Sequence, residues 1–294
     1  MLENVDLHLK LTKKEYKERF NQISESLTLN QRACWENGIP IIILFEGWDA
    51  SGKGTSINLL AQQFDPRGFR IHPIKGATDQ EKRMPWLWRF WLRLPNYGEI
   101  AIFDRSWYGR VLIERVEKIA KEAAWKEAYQ DILDFERTLF EDGYIIIKFF
   151  LHISKKEQMK RFEAIDKDPL QSWRVQKEDW KHHKKYKEYL VATEDMLART
   201  ETEWGNWTIV EATDQYWARI KILETVEKKL EIALNGRKKP EPVASNEIVQ
   251  TVPAMENAAA SSVNVKTRTS SRKRKTPISP ASENEPLSPL EGKA

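Results

Sequence analysis

The stretch Pro40-Ile-Ile-Ile-Leu-Phe-Glu-Gly-Trp-Asp-Ala-Ser-Gly-Lys-Gly-Thr55 constrains this chain more than any other. An unbroken apolar run fits a strand buried on both faces, so residues 41–45 predict an interior strand of a parallel sheet. The glycine-bounded loop that follows, closed by Lys53, has the pattern of a phosphate-cradling loop that opens a helix. Such a loop aims backbone N–H groups at one anion, and Lys53 adds a full positive charge. Gly47, Ser51, Gly52, Gly54 and Thr55 are therefore candidate phosphate-binding positions.

The pattern departs from the usual one at one informative place. Gly54 stands where a Ser or Thr hydroxyl normally ligands magnesium, and Thr55 comes one residue late. Asp49 lies inside the loop instead. An acid in a phosphate cradle is electrostatically unfavourable unless a cation bridges it to the phosphate, so Asp49 reads as a Mg²⁺ ligand. Its partner is Asp104, at the end of a second apolar run, residues 99–103. In open α/β sheets ligands bind at the C-terminal ends of the strands, and in phosphate-loop enzymes such an acid holds magnesium. Two carboxylates are what Mg²⁺ commonly takes from protein. Arg105 follows at once and can clamp phosphate oxygens. Read in isolation, Asp104 could also be a helix N-cap before Ser106-Trp-Tyr, and the preceding phosphate loop and following Arg105 favour the metal-linked reading.

Strand and helix signals alternate along the chain. Residues 12–36 predict an amphipathic helix. Strands are expected at 41–45, 70–74, 99–103, 144–153 and 207–210. Helices are expected at 53–63, 78–94 (with Pro85 tolerable only near a start or kink), 107–119, 121–141, 155–165 and 215–234. This alternation implies an α/β fold, a parallel sheet covered by helices on both faces. Residues 166–203 are helical, charged and poor in aliphatics, and are expected to protrude as a mobile lid.

Every one of the 31 aromatics lies at or before Trp217, which places the end of the folded domain near residue 236. Residues 237–294, rich in Pro, Ser, Ala and charge, are expected to be disordered. Ten Lys/Arg and six Asp/Glu lie beyond residue 236, leaving 38 of each within 1–236, so the domain is neutral and the pI near 8.9 describes the tail. Any polyanion site must come from local clustering. Arg174, Lys177, Lys181 and Lys184, spaced 3, 4 and 3, share one helical face, and Lys82, Arg89 and Arg93 form a second stripe. Beside a phosphate loop the two stripes suggest an anion channel. Trp86, Trp88, Trp91, Trp173 and Trp180 read as packing rather than base-stacking residues. Arg272-Lys-Arg-Lys275 reads as a solvated basic patch, with no specific nucleic-acid partner implied.

The single cysteine, Cys34, excludes an intramolecular disulfide and fits a reducing, cytoplasmic setting. No apolar run is long enough to span a bilayer. His72, His152, His182 and His183 lack the spacing of zinc ligands.

Taken together, Gly47-Trp-Asp-Ala-Ser-Gly-Lys-Gly54, Phe103-Asp-Arg-Ser-Trp-Tyr108, Trp86-Leu-Trp-Arg-Phe-Trp91, Ser172-Trp-Arg174, Trp204-Gly-Asn-Trp207 and Glu211-Ala-Thr-Asp214 resemble the type 2 polyphosphate kinase family. The likeness runs over about residues 12–234. The run through Arg110 and Val111-Leu-Ile-Glu-Arg-Val116 is most similar to polyphosphate:AMP phosphotransferases. The resemblance implies a three-layer α/β/α fold like thymidylate kinase, with a helical lid. It implies Mg²⁺-dependent transfer of the terminal phosphoryl group of inorganic polyphosphate to a nucleotide, AMP or ADP, and a homo-oligomer. Asp49 and Asp104 match the family's metal-linked acids, Lys53 its loop lysine, Arg105 its phosphate clamp, and Arg174 falls in its lid motif. Arg110, Lys177 and Lys181 complete the expected phosphate contacts. Two features depart from the pattern: Thr55 replaces a second glycine, and the tail has no counterpart. Two rivals remain at this level, an ATP-dependent nucleoside monophosphate kinase and a non-catalytic polyanion binder.

Overall fold

The computed structural model describes residues 2–236. The expected tail at 237–294 and its basic patch lie outside the described residues. Strand β1 (Ile41–Gly47) forms where the apolar run predicts it, and Ile41, Ile42, Ile43, Leu44 and Phe45 are all fully buried. Burying each such side chain stabilises the fold by about 2 kcal/mol. Successive strand residues point to opposite faces, so burial of all five means that both faces of the sheet are covered.

β1 pairs in parallel with β3 (Ile100–Asp104) on one side and β4 (Ile145–His152) on the other. β2 (Phe69–Pro73) extends the sheet beyond β3 and β5 (Trp207–Glu211) beyond β4, giving the order β2-β3-β1-β4-β5. The chain builds one side of β1 first and then the other. The loops leaving neighbouring strands splay apart there and open a crevice at their C-terminal ends. The register sets Phe45 opposite Asp104, which brings the two sequence motifs together.

Helix α1 (Lys13–Glu36) starts at a capping box in which Thr12 and Glu15 bond reciprocally, and α9 (Gln215–Gly236) packs along it. Helix α2 (Lys53–Ala61) follows the loop after β1. Helix α5 (Glu122–Glu141) lies against β4 through a fully buried ion pair, Lys148–Glu136, at 2.9 Å. Among the described residues no helix is long and apolar enough to cross a membrane.

Three expected helices are revised. Residues 78–94 hold a 3₁₀ turn, Glu81–Arg83, and only one α-turn, α3 (Trp88–Trp91). Pro85 lacks the N–H and clashes with the preceding turn, so one helix cannot run through it. Residues 107–119 divide into a 3₁₀ turn, Trp107–Arg110, and α4 (Ile113–Val116). The stretch 166–203 is not one protruding unit. After α6 (Lys155–Lys167) come a 3₁₀ turn, Ser172–Arg174, the charged α7 (Lys177–Lys184) and then α8 (Tyr186–Arg199). Helix α8 is anchored in the core by Tyr186, Ala192, Met196 and Leu197.

Candidate active site

The loop between β1 and α2 takes its shape from backbone conformations that few residues tolerate. Gly47 has φ 140°, and a Cβ there would lie 2.4 Å from the Leu151 carbonyl oxygen. Gly52 is left-handed at the N-cap of α2 and supplies no side-chain cap, so the first N–H groups of that helix remain available to an anion. Lys53 folds back over the loop, its Nζ donating to the Gly47 and Trp48 carbonyls at 2.9 Å each. Burial pulls its pKa down, with Asp49 opposing. Trp48 pins the loop from below: its Nε1 donates to His152 Nδ1 at 2.8 Å, and its ring stacks on Tyr186 at 4.0 Å.

Strand β3 delivers Asp104 and Arg105 beside this loop. The Arg105 backbone, at φ 63°, donates its N–H to the Phe45 carbonyl at 3.0 Å. Its guanidinium donates to Asp49 Oδ1 at 3.0 Å. The other Asp49 oxygen meets His182 Nδ1 on α7, also at 3.0 Å. Burial alone would raise the Asp49 pKa. The His182 hydrogen bond and the charges of Lys53 and Arg105 outweigh it and hold the carboxyl far below its usual range. The same hydrogen bond raises the His182 pKa, against burial. The site thus carries a fixed anion among cations.

Two cavities meet at Asp49 and Arg105. One, of about 320 Å³, is lined by Ser51, Gly52, Lys53, Gly54, Lys75, Asp104, Arg174 and Asp179. The other, of about 70 Å³, is walled largely by apolar groups, among them Trp48, Leu112, Ile113, Phe150 and Tyr189. Ser51 Oγ is buried and has no hydrogen-bond partner among the described residues.

Of the residues predicted from sequence, the structure gathers Asp49, Ser51, Gly52, Lys53, Gly54, Asp104, Arg105 and Arg174 around the larger cavity, and Gly47 beside the smaller. It places others elsewhere. Arg110 bonds Glu114 at 2.7 Å, lies over the Trp86 ring and lines neither cavity. Thr55 Oγ1 is turned back to the Gly52 carbonyl at 2.8 Å. Lys177 and Lys181 are exposed on α7 and line neither cavity, and Arg174 precedes that helix rather than sharing its face. The second stripe is neutralised locally: Arg89 and Arg93 share Glu81, and Lys82 pairs with Asp79. Trp86 donates to Asp131 and Trp91 packs edge-on to Phe135, in keeping with packing roles. Sequence reasoning missed Lys75, Asp179 and His182. The last sits 133 residues from Asp49, and no local spacing could reveal the pair.

Asp49 and Asp104 put carboxylate oxygens on one cavity, and hard oxygen donors of this kind suit Mg²⁺. Donor atoms of Asp49, Asp179 and His182 also lie within 4.8 Å of one another, a grouping that histidine spacing did not predict. Within that grouping His182 Nδ1 donates to Asp49, since an ionised carboxylate can only accept.

Residues 10–238 match the polyphosphate kinase 2 (PPK2) family. The chain is 42% identical over 239 residues to a polyphosphate:AMP phosphotransferase of Pseudomonas syringae pv. tomato, covering 81% of this chain and 48% of that protein. It resembles a crystal structure from Pseudomonas aeruginosa PA01 assigned to polyphosphate kinase 2, with TM-score 0.78 and 41% identity over 81% of this chain and 51% of that one. A polyphosphate kinase 2 structure from Arthrobacter aurescens TC1 matches with TM-score 0.76 and 30% identity, over 84% and 89% of the two chains. The chain spans about half the length of the curated polyphosphate:AMP phosphotransferases it matches.

Proposed function

The chain belongs to the polyphosphate kinase 2 family, and from that premise we propose that it moves the terminal phosphoryl group of inorganic polyphosphate to a nucleotide, AMP in the first place. The observation that carries the reading is the meeting of two unlike cavities at Asp49 and Arg105. The larger, with Lys53, Lys75, Arg105 and Arg174 on its wall, suits a chain of phosphates. The smaller and more apolar one suits a nucleoside. At about 70 Å³ it is below the size of ordinary ligand pockets, roughly 300 Å³ and more. Its His182 wall belongs to α7, so nucleoside entry requires that helix to shift. Residues 168–184 are accordingly the lid in this proposal, and α8 is its fixed base.

The phosphoryl group passes in line between donor and acceptor oxygens, without a covalent intermediate. The acceptor is itself a phosphate, with second pKa near ~6, so it is ionised at neutral pH and needs no strong general base. Lys53 and Arg105 hold the donor phosphates and stabilise charge on the equatorial oxygens. In taking up phosphate, Lys53 exchanges its bonds to the Gly47 and Trp48 carbonyls for phosphate oxygens. Asp49 and Asp104 would hold Mg²⁺, which when bound neutralises charge on the transferring group. His182, with Arg105, fixes the rotamer of Asp49. Positioning and charge neutralisation do most of the work. A reducing cytoplasmic setting and a homo-oligomeric assembly belong to the same proposal, the first supported by the single, buried Cys34.

Product analysis with purified protein, Mg²⁺ and long-chain polyphosphate tests the reading. ADP formed from AMP only when polyphosphate is present is the expected result. ATP formed from ADP alone would move the acceptor to diphosphates. Turnover only with ATP plus AMP would overturn the donor.

A further inference from the structure

We propose that Gln158 and Arg161, on α6, are positioning residues that set the shape of the phosphate loop by holding its carbonyl oxygens and tie it to α7. The inference rests on the reading of residues 47–55 as a phosphate loop.

A loop that turns its N–H groups toward an anion leaves carbonyl oxygens facing away, and these need partners of their own. Three consecutive carbonyls here, those of Asp49, Ala50 and Ser51, are met from α6. Gln158 Nε2 donates to the Asp49 carbonyl at 3.1 Å. Arg161 Nη1 donates to the Ala50 and Ser51 carbonyls at 3.0 and 3.2 Å. Arg161 Nη2 donates to the Ala212 and Thr213 carbonyls at 2.7 and 3.0 Å, and its Nε to Glu157 at 2.8 Å. A guanidinium has five N–H donors, and here five acceptors surround one. It has no donor to spare for substrate, which separates it from Arg105. Its place is that of a rivet between the loop after β1 and the turn after β5.

The loop needs such a rivet. Ala50 sits at φ 58°, a left-handed conformation uncommon for a residue with a side chain, and it persists only where the surroundings impose it. The Ala50 carbonyl is one that Arg161 holds. Gln158 adds the link to α7. It is 1% exposed, and its Oε1 accepts from His183 Nδ1 at 2.8 Å. Two adjacent histidines of α7 thus reach Asp49, His182 directly at the carboxylate and His183 through Gln158 at the backbone. A shift of α7 is therefore felt by the loop through its backbone as well as through the Asp49 carboxylate.

The test compares Arg161→Met, Arg161→Lys and Gln158→Met with the unaltered full chain. Two things are read: hydrogen exchange of the amides at 47–55 against those of β4, and the kcat and KM of polyphosphate-driven AMP phosphorylation. The expected result for Arg161→Met is loop exchange faster by about tenfold with β4 unchanged. With it comes a fall in kcat of roughly a hundredfold, while KM for AMP moves by less than about threefold. Arg161→Lys, which keeps the charge and some donors, should recover part of both losses. In Gln158→Met the loop should loosen together with α7. Unchanged loop exchange would overturn the proposal, and so would loop and β4 exchange rising together, which marks general destabilisation. If the unaltered protein does not turn over polyphosphate, the functional reading fails, and the exchange data still decide the positioning claim.

Discussion

Two ion pairs hold the segment that follows β3, and they are built differently. Behind it, Lys148 and Glu136 are both 0% exposed. Lys148 Nζ donates to Glu136, to the Tyr108 hydroxyl and to the Thr200 carbonyl, and Glu136 also accepts from Trp107 and Tyr108. All three ammonium donors are used. In front, Arg105 is 43% exposed and Asp49 17%, and both border two cavities. The Arg105 guanidinium retains donors beyond its bond to Asp49. A buried pair whose ammonium donors are all spent and whose charges face no cavity specifies structure and has nothing to offer a ligand. A half-open pair with spare valences is poised for one.

The largest effect that would break this contrast concerns the front pair. Asp49→Asn and Asp104→Asn should each lower kcat by about a thousandfold or more, because charge neutralisation carries most of phosphoryl transfer. For Asp104→Asn the change in unfolding free energy should stay within about 1 kcal/mol, whereas Asp49→Asn should also lose stability, because its carboxylate is hydrogen-bonded to His182 and faced by Lys53 and Arg105. Steady-state kinetics with Mg²⁺ in excess, beside urea unfolding, checks both parts. Near-normal turnover in either variant would remove the metal assignment.

The rear pair should respond the other way round. Lys148→Met leaves Glu136 buried without its counter-charge and should destabilise the protein by about 3–5 kcal/mol. Adding Glu136→Gln should recover a good part of that loss, because the glutamine oxygen still accepts from Trp107 and Tyr108 without a buried charge. Additive losses in urea unfolding of the single and double variants would mean that the two groups are not coupled.

How far sequence could see this contrast depends on the range of the interactions. The strands, the loop glycines, Asp104 and Arg105 were legible because strand burial and phosphate-loop spacing are local patterns. The Asp49–His182 contact was not, because the fold, rather than any motif, brings it together. Helix α8 did carry a signal: Tyr186, Tyr189, Leu190, Thr193, Met196 and Leu197 recur at helical spacing. The charges around Lys184, Lys185 and Lys187 mask it, so 166–203 reads as one exposed lid. The 78–94 helix fails at Pro85, where backbone sterics override the surrounding propensity.

The cation stripe on the lid allows a finer version of the same contrast. Arg174 borders the larger cavity, whereas Lys177 and Lys181 do not. Arg174→Ala should raise KM for polyphosphate by about threefold to tenfold and flatten its rise with salt by roughly one phosphate contact. The double variant Lys177→Ala/Lys181→Ala should change KM by less than about twofold. Equal effects of the two would restore the whole stripe as a binding surface. KM measured at several ionic strengths decides.

Ser51 gives the smallest and most discriminating effect. Its Oγ is buried without a partner among the described residues, and an unmade buried hydrogen bond costs about 1–3 kcal/mol. Ser51→Ala removes the unpaired hydroxyl and opens only a very small void. The ligand-free protein should therefore keep its stability or gain up to about 1 kcal/mol. If the hydroxyl waits for a phosphate oxygen, the variant should gain less from ligand. Its melting temperature should rise by a few degrees less on adding tripolyphosphate than that of the unaltered chain, as weaker binding requires. An equal ligand-induced rise in both proteins would show that Ser51 lines the cavity without touching what fills it. Phosphate contacts from the loop itself would then rest on Lys53 and the loop amides.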